Sequence, residues 1–65
     1  MNAAAAARQV SKNEFYARMN PLNVHPRIVE DHWPYTSTWE LQPSRLVIGK
    51  SVGQQDGSYT YFLAA

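Results

Sequence analysis

Beyond Pro34 the apolar side chains settle into a period of two; before it they follow a helical spacing and then a broken one. Tyr35, Ser37, Trp39 and Leu41 alternate with Thr36, Thr38 and Glu40, the pattern of a half-buried strand built from good β formers. Gln42-Pro43-Ser44 reads as a turn, and Arg45 to Val52 as a second strand. Strict alternation there sets Leu46, Ile48 and Val52 against Val47 and Gly49, with Gly49 marking a bulge or a close crossing. Asp56-Gly57 tolerates the positive φ that a reversal over residues 53–57 needs. A third strand, Ser58 to Leu63, places Tyr59, Tyr61 and Leu63 on one face and Thr60 with Phe62 on the other.

Upstream, Ser11 followed by Glu14 matches a capping box, in which hydroxyl and carboxylate each satisfy an orphan backbone N–H. Val10 before the cap and Phe15 four residues after it form the matching hydrophobic staple. Together they predict a helix starting at Lys12, with Phe15 and Met19 on one face and Tyr16 beside them. Pro21 pushes Asn20 out of the α region and ends it. The alternative is one continuous helix from about Ala3, since alanine is the best helix former. Residues 20–34 hold Pro21, Pro26 and Pro34 and read as an extended crossover offering at most a short edge strand, anchored by Leu22, Val24, Ile28 and Trp33.

The predicted fold class is therefore α+β: one short N-terminal helix followed by a three-stranded antiparallel β-meander, in the order α-β-β-β. Residues 1–10 are expected to be a flexible Ala-rich lead-in and residues 11–65 a single small domain. The expected core is Trp39, Leu41, Leu46 and Ile48 with the Tyr59/Tyr61/Leu63 set or Phe62. One helix covers one face of such a sheet, so aromatic side chains on the other are expected to look outward.

Composition narrows the functional classes. A 65-residue chain without cysteine has no disulfide or thiolate metal site to reinforce it, and must rely on packing or association. The net charge of +1 makes no electrostatic case for a dedicated nucleic-acid binder. Charge is unevenly spread: residues 1–29 hold Arg8, Lys12, Arg18 and Arg27 against Glu14, whereas residues 30–65 hold Arg45 and Lys50 against Glu30, Asp31, Glu40 and Asp56. No stretch approaches the roughly 20 apolar residues that span a bilayer. Without an export signal or cysteine, the expected setting is cytoplasmic, with no membrane partner, and the compact format suits a phage or mobile-element protein.

Candidate chemistry is sparse. His25, Glu30, Asp31 and His32 have ligand character, but they lack the spacing of a zinc site and read as solvated loop groups. No nucleophile elbow or comparable signature is present, and so small a chain struggles to enclose a pocket of the usual 300 Å³ or so; no catalytic residue, metal or cofactor is assigned. The aromatic strands carry more weight. Tyr35, Trp39, Tyr59 and Tyr61, with Arg45 and Lys50 at the rim, are the candidate partner-binding residues, because aromatic and arginine anchors dominate binding surfaces. The expected function is a non-enzymatic interaction module that binds a protein partner, or a second copy of itself, through a sheet face or edge. The alternative is a small single-stranded nucleic-acid binder, stacking bases on the same aromatics and holding phosphates with Arg45 and Lys50.

Overall fold

The computed structural model describes residues 7–64. One short helix lies across a five-stranded antiparallel sheet, so the α-β-β-β order with three strands is corrected to a mostly-β domain with sheet order β1-β5-β4-β3-β2. The strands are β1 (Arg8–Val10), β2 (Val24–Glu30), β3 (Tyr35–Leu41), β4 (Leu46–Gly53) and β5 (Tyr59–Leu63), and helix α1 spans Lys12–Met19.

The two additional strands form the two edges. β1 pairs with β5 through Arg8↔Leu63, Gln9↔Phe62 and Val10↔Tyr61, which excludes a continuous helix through residues 8–10. A helical reading of residues 3–6 falls outside the described residues. β2, expected as a crossover, pairs with β3 from Val24↔Leu41 to Glu30↔Thr36 with a bulge between Ile28 and Glu30. Pro26 does not interrupt it. The Gln42 amide donates to the Asn23 carbonyl (2.8 Å), so the bonded positions of this ladder fall at Asn23, His25 and Arg27. Pro26, opposite Trp39, lies at a position whose N–H would face away from the sheet, and its absence removes no ladder bond.

Helix α1 starts where the local signals place it. Ser11 Oγ accepts from the Glu14 amide at 3.1 Å. The other half of the capping box is replaced: the Glu14 carboxylate takes Arg8 Nη2 at 2.8 Å. Arg18 in the last turn complements the helix dipole. The helix carries the chain from the β1 edge to the β2 edge, and lays Phe15 and Met19 onto the sheet.

The core is Val10, Phe15, Met19, Ile48 and Leu63, flanked by Tyr16, Leu22, Val24, Trp39, Leu41 and Tyr61. Leu46 is not part of it: paired with Leu41 at the end of the β3–β4 ladder, it is 60% exposed. Past Ile48 the alternation slips. Trp39 pairs with Gly49 but Glu40 pairs with Val47, which leaves Ile48 as the extra residue of a bulge and turns both Ile48 and Gly49 toward the helix. Val52, expected beside Ile48, lies between Thr36 and Thr60 on the opposite face.

Candidate functional site

The register sorts the side chains into a helix face and an open face. Across the helix face, one row runs Ile28, Ser37, Ser51, Tyr61 and Val10, and the next runs Pro26, Trp39, Gly49, Leu63 and Arg8. A third row holds Tyr35, Gly53 and Tyr59. Small residues therefore sit at the centre of the sheet and large ones on either side. Helix α1 covers the Gly49 row and stops short of the Gly53 row.

The result is a trough of about 500 Å³ lined by Tyr16, Pro26, Ile28, Ser37, Trp39, Ser51, Tyr59 and Tyr61. Ser37 and Ser51 form its floor. Tyr59 and Tyr61 from β5 make one wall, Pro26 and Ile28 from β2 the other, and Tyr16 with Trp39 closes the helix end. At the far end the Tyr59 ring and the Tyr35 Cβ flank Gly53, and Tyr35 packs against Trp33 with ring centroids 4.4 Å apart. Trp33, Tyr35 and Tyr59 remain 46%, 40% and 57% exposed.

Trp39 is held in place by its indole N–H, which donates to Ser51 Oγ at 3.0 Å, and by edge-on contacts with Phe15 and Tyr16. Burial, together with the neighbouring Tyr16 and Tyr59, pushes the Tyr61 phenol above its ordinary value of 10.0. No charged side chain lines the trough.

The open face is different. One row there is Arg27, Thr38, Lys50, Phe62 and Gln9, and beside it lie His25, Glu40 and Val47. The Glu40 carboxylate is buried; Arg27 Nε donates to its Oε2 at 2.8 Å, and Arg27 Nη2 stands at the same distance as an ion pair. Thr38 Oγ1 stands 3.3 Å from the same oxygen, and Arg45 Nε 3.6 Å from Oε1. Lys50 Nζ sits 5.1 Å above the Phe62 ring. This corner explains how a carboxylate is tolerated in the sheet: one oxygen is hydrogen-bonded and the charge is paired with two guanidinium groups.

Of the residues singled out in the sequence, Tyr35, Trp39, Tyr59 and Tyr61 gather on the helix face, at or beside the trough. Arg45 and Lys50 stand on the open face, so the sheet itself separates them from the rings. The exposed rings lie on the same side as α1, beyond its end, rather than on the opposite side. Tyr16, Pro26, Ile28, Ser37 and Ser51 join the site without having been singled out for it; their signal is a pair of serines at helix-facing register positions between bulky neighbours. His32 Nδ1 lies 3.4 Å from Asp31 Oδ1 and 3.6 Å from Glu30 Oε1, while His25 is distant on β2. Among the described residues no group of three or more potential ligands is placed to hold a metal ion, and no helix is long and apolar enough to cross a membrane.

The Glu40 corner predicts an acid limb in stability. Hydrogen bonding from Arg27 outweighs the opposing desolvation and, with Thr38 and the charge of Arg45, holds the Glu40 carboxyl below its usual 4.5. A carboxylate with a depressed folded-state pKa stabilises the fold above its unfolded value, and that contribution disappears as pH falls through the folded value. Asp56, held below 3.8 by hydrogen bonds from the Ser58 hydroxyl and amide, acts in the same direction. Urea midpoints should therefore be level from pH 7 to about 5 and drop below pH 4.5. Glu40→Gln should be less stable at pH 7 and show a shallower drop; wild type and variant running parallel from pH 7 to 3 would refute the assignment.

No protein-family model, no curated protein and no solved structure matches the chain, so the reading of this site rests on its own geometry.

Proposed function

We propose that the protein is a non-enzymatic interaction module that takes an extended segment of a partner protein into the trough on its helix face. The observation that carries this reading is the size pattern of the trough: paired serines on the central strands β3 and β4, with aromatic and branched residues around them. A sheet face meant only to pack under a helix would fill its centre with large apolar side chains. Here the centre is hollow, uncharged and walled by rings that remain partly exposed. Partly exposed tyrosines supply large, rigid contact area together with hydroxyl donors, which favours recognition of a polypeptide.

The nucleic-acid alternative draws less support. Stacking platforms need cations within reach of the phosphates, and Arg45 and Lys50 stand on the other side of the sheet.

Panning a random displayed-peptide library against the immobilised protein tests the reading. Enriched peptides should lose binding by at least about tenfold to a Tyr35→Ser/Tyr59→Ser double variant, in line with the loss of interface anchors. No enrichment above background, or enrichment indifferent to the double variant, would overturn it.

A further inference from the structure

We infer that the open face of the sheet holds a second site, which takes a short aliphatic carboxylate. It lies on the other side of the sheet from the trough and does not depend on what the trough binds.

The bulge in β4 makes this site. Strict alternation would bring every second residue of the strand to the open face. Val47 and Lys50, the open-face residues on either side of the bulge, are instead three apart, because Ile48 and Gly49 both turn toward the helix. The surface therefore lacks a side chain at this point, and the bare backbone of Gly49 forms a floor. The neighbours do not fill the gap, since Thr38 on β3 and Ala64 just after β5 are both small. What remains is a hollow of about 290 Å³, with Val47 and Phe62 as its larger apolar walls. Bulges recur where a sheet surface is reshaped for function.

Size and charge select the occupant. At roughly 30 Å³ per water-sized group, the hollow admits on the order of ten non-hydrogen atoms, too few for a nucleotide or a folded segment. Its lining is apolar apart from the Thr38 hydroxyl and one charged group, Lys50, whose ammonium stands 5.1 Å from the centroid of the Phe62 ring. The other cations of this face are committed: Arg27 and Arg45 face Glu40 at 2.8 and 3.6 Å. Among the described residues Lys50 makes no ion pair. A carboxylate head at Lys50, with its chain laid between Val47 and Phe62, satisfies both the cation and the apolar walls. A neutral chain would forgo the ammonium, and a cationic one would meet it head-on.

The test is a titration of the ¹⁵N-labelled protein with sodium octanoate, 1-octanol and octylammonium chloride, each kept below the concentration at which it aggregates. Octanoate should produce saturable shifts at the Thr38, Val47, Lys50 and Phe62 amides. Octylammonium should bind at least about tenfold more weakly, because it sets like charges together. Lys50→Gln should lower octanoate affinity about two- to fivefold, the range of an exposed ion pair, and leave octanol unchanged. Val47→Ser should weaken octanoate and octanol alike by about three- to tenfold, through lost apolar contact. Both substitutions fall at exposed positions, and either carries the test if the other variant fails to fold. Equal binding of the three probes would overturn the inference. So would octanoate shifts confined to the Ser51, Tyr59 and Tyr61 amides of the trough, or no saturable shift at all.

Discussion

Replacing Phe15 by alanine is expected to remove about half or more of the stability of the fold. Phe15 is completely buried, and its ring touches Tyr16, Trp39 and Tyr61 at centroid distances of 5.4, 5.2 and 4.9 Å. Truncating a buried phenylalanine costs about 3–5 kcal/mol, counting both transfer and the cavity left behind. A domain of this length has only about 3–10 kcal/mol in total. Phe15 is also the side chain through which a helix of eight residues, too short to persist alone, is fastened to the sheet. A urea midpoint lowered by about half or more, with the far-ultraviolet helical signal lost in the same transition, is the expected result. A variant that melts cooperatively within a few degrees of the wild type would show that α1 is not the clamp described here.

The second large effect is expected at Gly49, from adding one carbon rather than removing several. A Cβ on Gly49 would meet Met19 Cε at 2.5 Å, the Phe62 carbonyl oxygen at 2.9 Å and Phe15 Cε1 at 3.0 Å. Met19 can swing its terminal methyl aside, but the Phe62 oxygen belongs to the paired β4–β5 backbone and Phe15 is packed on every side. Gly49→Ala should therefore lift the helix from the sheet and destabilise by about 1–3 kcal/mol, the usual range for overpacking. A lowered urea midpoint with an unchanged slope would show this; an unchanged midpoint would mean that the helix rides higher than the contacts indicate. By contrast, Gly57, whose φ of 91° is what the β4–β5 turn requires of it, has open space around its Cβ position.

These two sites also show what could be read from the sequence and what could not. Ser11 and Glu14 mark the helix start, and Pro21 its end, because capping and proline sterics act within a few residues. The alternation around Trp39 and Tyr61 marks β3 and β5 for the same reason. β1 carries no such mark: three residues beside an alanine run become a strand only through pairing with residues 61–63. β2 is hidden by Pro26 and by its exposure on both faces, since a strand with little buried surface has no reason to alternate. The bulge at Ile48 shifts the phase of β4, and a two-residue period carried through it sends Val52 to the wrong face, whereas Leu46 keeps its phase and is exposed because it lies at the end of the ladder.

The aromatic residues of the site stand out in the sequence, but their arrangement does not. Ser37 shares the face of Trp39 in the alternation, but strict alternation through β4 turns Ser51 away from Ile48, and only the register reveals that it lies beside Tyr61 and takes the Trp39 indole. Lys50 and Arg45, close to the rings in sequence, are placed behind them by the same pleat.

Pro26 has a bearing on how the molecule behaves in a crowd. β2 is the long free border of the sheet, and it displays Ile28 and Val29 to water. Such borders invite neighbouring molecules to stack strand upon strand into fibrils. An incoming strand would find a donor missing midway along Val24–Glu30 and a bulge two residues later, so growth of an aggregate is interrupted at its first step. The same proline that leaves the molecule's own ladder intact makes the border a poor template for anyone else's.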